Sequence, residues 1–425
     1  MTQEKKHSET GQDCPEGYKS CDGYKTPKEW HIVRFDSLFS RVTRKNDENN
    51  QNVLTISAQQ GLISQIEYYN TLYASENKTG YTLLHRGDFS YNKSYSSGYA
   101  YGAIKRLDAY EKGIVSPLYL CFTPRQGVNS DFYLQYFEAG CFDREIYKIA
   151  QEGARNHGLL NVSTEDFFHS MLVFPPLEEQ ERITEILTQC DHVIELKEQK
   201  LDELKQLKKE FLRKMFPAKG CDTPEIRFPG FTGAWEQRKL GELGTITTGS
   251  TPSTSIPDYY SDDGIVWVTP TDICENITFE SARKLSDLGQ QVGRIVPKNT
   301  ILVTCIASIG KNTMLGNTGS FNQQINGLTP NENECDPYFL LTESALWSAK
   351  MKSSAAAGTM QIVNRTEFSE LKTWLPSLIE QQAISDFFRQ LDNLITLHQR
   401  ELEETKTYKK TLAKLLLTGI VRVQG

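Results

Sequence analysis

The chain has 425 residues, of which 38% are hydrophobic and 24% charged, with a formal net charge of −7. That is length for two or three domains and apolar content for real cores, which excludes wholesale disorder. The acidic balance excludes a protein that coats nucleic acid by bulk charge, and leaves nucleic-acid binding to local basic patches.

Residues 1–25 are polar without an apolar stretch, and read as a mobile tail with no signal peptide. From 26 to 174, β-branched and aromatic runs (Val53–Ser57, Tyr81–Ile104, Gly113–Phe122) are split by Gly, Pro, Asn and Asp. This predicts short strands with tight turns, followed by helix over Asp131–Tyr147. A long helix is predicted over 175–216. Pro175 opens it, and Glu178, Glu179 and Glu181 suit the positive end of its dipole. Apolar residues then return at three-four spacing: Ile183, Leu187, Cys190, Ile194, Leu201, Leu204, Phe211 and Met215. This is a coiled-coil seam. A second row, Ile186, Val193 and Leu207, widens the stripe, so the helix is expected to pack on more than one partner.

Phe216-Pro217 stops that helix, and 217–234 is a linker rich in Pro and Gly. Residues 235–375 form a second strand-and-turn block, with runs at Gly264–Pro270, Thr300–Leu315 and Ser320–Pro330 before a helical stretch Pro337–Ser353. A second long helix spans 376–419. Its seam is Ile384, Phe388, Leu391, Ile395, Leu402, Leu412 and Leu416, its second row Phe387, Leu394 and Tyr408. Gly419 is a plausible left-handed stop, and 420–425 is a short tail.

The chain repeats itself. Pro175–Phe216 and Pro376–Leu417 align without a gap at an offset of 201, and Glu179, Gln180, Ile183, Asp191, Leu201 and Lys208 are among the positions matched by an identical residue 201 later. Upstream, Asn161 resembles Asn364 and Trp30 resembles Trp235, whereas the blocks 31–160 and 236–360 do not visibly align. The frame is kept while the globular parts differ. A helix of about 40 residues is about 60 Å long and seldom stands alone. Its natural mate is the other copy, in an antiparallel, pseudo-two-fold pair with one block near each end. The seam is interrupted at matched places by Lys197 and His398 and by Lys208 and Lys409. Such positions either fix register or lie solvated at the coil edge. The C-terminal halves of both helices are rich in lysine and arginine, which suits the negative end of the dipole.

Several segments now carry a resemblance. GTMQIVNRTEFSELKTWLPSLIEQQAISDFFRQLDNLI from Gly358, TPEIRFPGFTGAWEQRKLGEL from Thr223, and TTGSTPSTSIPDYYSDDGIVWVTPTDI resemble type I restriction-modification specificity subunits. So do VLTISAQQGLISQIEYYN and GYTLLHRGDFSYNKSYSSG in the first half. The resemblance covers residues 26–425; Ser377 and Ile379 depart from the Pro and Glu of the first copy. It implies an α+β chain in which two small α/β target-recognition domains are joined by two long helices that form an antiparallel coiled coil. It also implies a non-catalytic DNA-binding subunit in which each domain reads half of a split target in double-stranded DNA. The helices act as spacer and dock two modification subunits, with restriction (translocase and nuclease) subunits in the full complex. No cofactor is expected on this chain, S-adenosylmethionine belonging to the modification subunit.

Base edges are read by donors and acceptors on loops, and phosphates are held by Lys, Arg, hydroxyls and backbone N–H groups. In the first block the candidates are Asn92, Lys93, Ser94, Tyr95 and Ser97, whose plain alternative is a polar hairpin tip, and Arg155, Asn156 and His157. In the second they are Thr248, Ser250, Thr251, Lys311, Asn312, Asn322, Gln323, Gln324, Thr359 and Gln361.

Rival chemistries lack their residues. Gly310-Lys311 sits in no GxxxxGK phosphate loop. Phe174-Pro175-Pro176-Leu177 lacks the Asn or Asp of an amide-methylation motif, and there is no glycine-rich cofactor loop. The nine cysteines show neither CxxC pairs nor zinc spacing, as expected of reduced thiols in a cytoplasmic protein. A bare coiled-coil scaffold would explain the helices but not two large, differing, loop-rich blocks. No apolar run approaches the roughly 18 residues of a membrane span.

Overall fold

In a computed structural model describing residues 15–21, 24–57, 60–71, 77–94, 98–150, 160–218, 220–306, 309–356 and 362–423, the predicted runs become short strands around aromatic cores. The chain divides into two units. Unit one is residues 1–197 with 401–425, and unit two is 198–400. Each holds one block and one half of each long helix.

Unit one is built on a four-stranded antiparallel sheet of β1 (Phe39–Arg41), β2 (Phe89–Asn92), β3 (Ala103–Arg106) and β4 (Leu120–Pro124), in the order β1-β4-β2-β3. Helix α1 (Ser130–Glu138) follows, started by Asn129, whose Oδ1 accepts from the Asp131 and Phe132 N–H groups. A single side chain thus satisfies two amides that the helix cannot. Gly140, at φ 69°, separates α1 from the next helix, Asp143–Ile149. The core is aromatic: Phe35 lies 4.8 Å from Phe39, 4.9 Å from Phe122 and 4.8 Å from Phe167, ring centre to ring centre.

The first long helix, α2 (Leu177–Lys214), leads from unit one into unit two. There the strands that shape the block include β5 (Gly244–Thr248), β6 (Tyr260–Val268), β7 (Ile277–Thr278), β8 (Ile301–Thr304), β9 (Asn312–Leu315), β10 (Gly319–Phe321) and β11 (Ile325–Pro330). Five form a sheet ordered β5-β11-β8-β9-β7, while β6 pairs in parallel with β10. Helix α3 (Pro337–Ala356) and the second long helix, α4 (Leu378–Leu417), complete the unit.

The predicted antiparallel pairing of the long helices holds within each unit. In unit one Lys197 of α2 donates to Glu401 of α4 at 2.9 Å, and Asp191 accepts from Lys409. In unit two Lys208 meets Asp392 at 2.5 Å, and the Phe211 and Phe387 rings lie 4.8 Å apart. Rising numbers on one helix meet falling numbers on the other. The seam lysines are therefore cross-helix ion-pair residues, not solvated edge positions. Of the second apolar row only Ile186 and Phe387 pack against the block cores, beside residues of the seam itself. Ile183 and Leu187 enter the core of unit one, and the repeat-related Ile384 and Phe388 enter that of unit two.

The first turn of each long helix is clamped in the same way. Arg422 forks onto Glu179 at 2.6 and 2.9 Å in unit one, and Arg227 forks onto Glu380 at 2.7 and 2.7 Å in unit two. One detail of the repeat is corrected. The residue equivalent to Asn364 is Ser163, not Asn161. Ser163 caps the helix Thr164–His169 and Asn364 caps Arg365–Ser369, again 201 residues apart.

Glu343 of α3 is buried in unit two, and its Oε1 accepts the Trp374 N–H at 3.0 Å. Burial pushes its carboxyl up to about 7, against the pull of Thr373 and of that N–H. A raised carboxyl makes folding bind a proton. Its stabilising contribution is complete below the unfolded value of 4.5 and is lost as pH rises through about 7. Glu343→Gln is therefore expected to gain on the native chain as pH rises, by about 3 kcal/mol at pH 8 relative to pH 4.5. Urea unfolding followed by tryptophan fluorescence checks this, because Trp235, Trp267, Trp347 and Trp374 all lie in unit two. A difference independent of pH would contradict it.

Candidate nucleic-acid interface

In unit two the strand ends converge. Thr248 closes β5 opposite Asn326 of β11, and Thr304 closes β8 opposite Ile325. Asn312 opens β9 opposite Val303, and Phe321 closes β10 opposite Val268 of β6. The loop residues 249–253, 269–272, 305–306, 309–311 and 322–324 therefore share one edge of the fold. Gly249 fits there because it has no side chain. A Cβ would stand 2.1 Å from the Asn322 carbonyl oxygen.

That close approach lets the loops knit. The Ser250 N–H donates to the Phe321 carbonyl at 2.8 Å, and Thr251 Oγ1 donates to Gln323 Oε1. Thr248 Oγ1 donates to Asn326 Oδ1 at 2.7 Å. Asn322 both accepts from the Gln324 N–H and donates to its Oε1, each at 3.1 Å. Lys311, exposed, donates to the Pro270 carbonyl at 2.9 Å. The structure thus gathers Thr248, Ser250, Thr251, Lys311, Asn322, Gln323 and Gln324 on one surface. Asn312 is apart from them: half-buried, it donates to Ser344 Oγ on α3.

Sequence reasoning missed Arg294. Its backbone N–H donates to Ser250 Oγ at 2.9 Å and one guanidinium N–H to the Thr248 carbonyl at 2.7 Å, with the side chain exposed. In sequence it is a lone arginine in Gly-Arg-Ile-Val-Pro. Only a contact across more than 40 residues reveals its place.

In unit one Asn92 ends β2 opposite Ala103, and its Oδ1 accepts from the Ser94 N–H at 3.0 Å. Gly102, at φ 80°, closes the turn where a Cβ would lie 2.3 Å from the Asn92 carbonyl oxygen. Lys93 is half-buried, and its ammonium donates to the Val162 carbonyl at 2.6 Å; burial pushes its pKa below the ordinary lysine value. A phosphate contact by Lys93 requires that bond to be exchanged. Beside the turn, Lys105 is buried against Glu138 at 2.6 Å, and the Tyr99 hydroxyl donates to the same carboxylate at 3.1 Å. Burial and Glu138 push the Tyr99 hydroxyl up, so it stays a neutral donor. Tyr95, Ser97, Arg155, Asn156, His157, Thr359 and Gln361 lie outside the described residues.

The arrangement offers hydroxyls, amides, backbone N–H groups and two exposed cations, the chemistry of phosphate and base-edge contact. No group of His, Cys, Asp and Glu suited to a metal occurs among the described residues. Burial pushes the Cys121 and Cys305 thiols up to about 11, the opposite of nucleophile activation. On the helices, Val193 and Tyr408 in unit one and Leu207 and Leu394 in unit two stay exposed. Among the described residues no helix is long and apolar enough to cross a membrane.

Comparison with known proteins gives these features a context. The family model described as type I restriction modification DNA specificity domain matches twice, at residues 27–206 and 233–407. A putative type I restriction enzyme MjaX specificity subunit of Methanocaldococcus jannaschii is 23% identical over 72% of this chain and 71% of its own length. The MjaVIII specificity subunit of the same organism is 24% identical over 96% and 97%. Among solved structures, a chain from a study of complex assembly and conformational transition of the type I R-M system superposes with a TM-score of 0.60. It is 16% identical, covering 94% of this chain and 100% of the other. The S subunit of a type I restriction-modification system from M. genitalium gives 0.53 at 14% identity, over 91% and 96%. These likenesses concern the fold.

Proposed function

The chain belongs to the type I restriction-modification DNA specificity family, and on that premise we propose that its two blocks read the two halves of a split DNA target independently, held at a fixed spacing by the paired helices. Specificity subunits are the non-catalytic, DNA-recognising members of their complexes. The observation that carries the two-reader proposal is the duplication itself. The frame recurs at an offset of 201 residues, with matched caps, clamps and cross-helix ion pairs, while the loop-bearing blocks have diverged. Two subunits that dock on repeated surfaces would see the same frame twice. Hence we propose two modification subunits, contacting the exposed apolar row of the helices, with restriction subunits joining the full complex. S-adenosylmethionine then resides in the modification subunit, and this chain contributes only recognition.

In the second block, exposed Lys311 and the Ser250 hydroxyl face phosphates, Gln323 offers an amide to adenine, and Arg294 offers its guanidinium to guanine. The test is to assemble the chain with its modification subunit and map the methylated motif. Two short sequences separated by a fixed unspecified gap are expected; a single continuous motif would overturn the proposal. Within that assay Arg294→Ala is expected to weaken binding about ten- to hundredfold, the 1–3 kcal/mol of a base contact, and to relax one base of one half only. Lys311→Ala should instead weaken all sequences alike and lower the salt slope by about one. Unchanged binding and salt slope in both variants would remove this edge from the interface.

A further inference from the structure

Apolar packing holds each block against the helices, but such contacts have no direction. A block held by them alone retains freedom to rock or slide. In each unit a polar junction at repeat-related positions crosses the same boundary. Asp191 of α2 accepts from Lys409 of α4, and also from Gln135 Nε2 of α1 at 2.8 Å. Asp392 of α4 takes Lys208 of α2 at 2.5 Å, and also the Tyr338 hydroxyl of α3 at 2.9 Å. Each carboxylate therefore joins three elements: its own helix, the opposite helix, and the helix of the recognition block.

Asp191 and Asp392 are repeat-related, as are Lys208 and Lys409. The donors from the blocks are not: one is a glutamine amide and the other a phenol. Different blocks thus fasten to one fixed carboxylate. We propose that Asp191 and Asp392 are positioning residues that set the angle of each recognition block on the helix pair, and so set how narrowly the gap between half-targets is selected.

Three further observations support the junction in unit two. The Asp392 side chain is 10% exposed and Tyr338 is 3% exposed, so water competes little for the bond. The Arg389 guanidinium lies over the Tyr338 ring, 4.8 Å from its centre, and holds the ring in place. A second fastening lies just ahead of Tyr338 in the chain, further toward the start of α4. Gln381 of α4 accepts the Asp336 N–H at 2.9 Å and donates to the Glu334 carbonyl at 3.0 Å. Two directional attachments define an orientation where one would leave a pivot. The Asp191 side chain is 45% exposed, so water competes more for this junction than for that of unit two.

The inference rests on the two-reader proposal, and the test separates the two. Complexes of the full chain with its modification subunit are given a DNA library in which the half-targets are fixed and the gap varies by up to two base pairs either way. Methylation is read for each gap. The native chain should show one sharp maximum; its absence would count against the two-reader proposal. Tyr338→Phe keeps the Lys208–Asp392 pair and removes the block's bond to Asp392, together with the hydroxyl's contact with Asn276 inside the block. It is expected to raise methylation at neighbouring gaps at least tenfold relative to the maximum, with the bases of both half-targets unchanged. Asp392→Ala should do the same or more, and Asp392→Asn, which still accepts from Tyr338, should restore most of the sharpness. A purely structural role would lower activity at all gaps in proportion. Such a uniform loss, or an unchanged profile, in Tyr338→Phe and Asp392→Ala would overturn the inference. If Asp392→Ala does not fold, Tyr338→Phe alone decides.

Discussion

Inserting one heptad into each long helix, after Leu201 and after Leu402, is expected to move the two half-targets apart by roughly three base pairs. Both insertion points follow buried seam residues at repeat-related positions. Seven residues preserve the seam of a coiled coil. They lengthen the pair by about 10 Å at roughly 1.5 Å per residue, and DNA rises about 3.4 Å per base pair. The same three pairs turn the duplex by about 100°, at roughly 10 pairs per turn. The second block then faces a different side of the helix, so a fall in activity of several orders of magnitude is expected. The diagnostic result is the motif still methylated. Each half should keep its sequence, and the gap should grow. Inserting into one helix alone should be worse, because Lys208–Asp392 and Asp191–Lys409 can no longer both align. An active double-insertion variant that keeps the original gap would show that the helices do not set it.

The helices were the most legible part of the chain. Their apolar periodicity, their capping prolines and their ungapped repeat come from local chemistry and are readable without a partner. The polar breaks at Lys208 and Lys409 could be seen, and so could the identity of Asp191 with Asp392. That each lysine meets the aspartate of the other helix could not, because it depends on the antiparallel register. The strands were legible as runs, but their order was not. The parallel pairing of β6 with β10 joins segments more than 50 residues apart, and hydrophobic alternation carries no information about such a partner.

The candidate interface was legible to the extent that loops rich in Ser, Thr, Asn and Gln follow strand ends. Thr248, Ser250, Asn322 and Gln324 come together because their strands are neighbours in one fold. Asn312 had the same chemistry and a similar loop position, yet it serves α3 through Ser344. Composition cannot distinguish an amide that faces solvent from one that turns inward. Arg294 shows the converse: its neighbours in sequence gave no signal, and its neighbours in space place it beside Thr248 and Ser250.

The central claim is that the blocks are separate readers on a shared frame. The direct measurement is to exchange residues 236–360 for the corresponding block of another family member, assemble the complex, and sequence the methylated DNA. The exchange leaves intact the helix Arg365–Ser369 and both long helices, and the donor block supplies its own counterpart of Glu236–Lys239, the strand that pairs with the retained Lys372–Leu375. The account predicts that one half of the motif changes completely while the other half and the gap stay as they were. A motif in which both halves change together would contradict it.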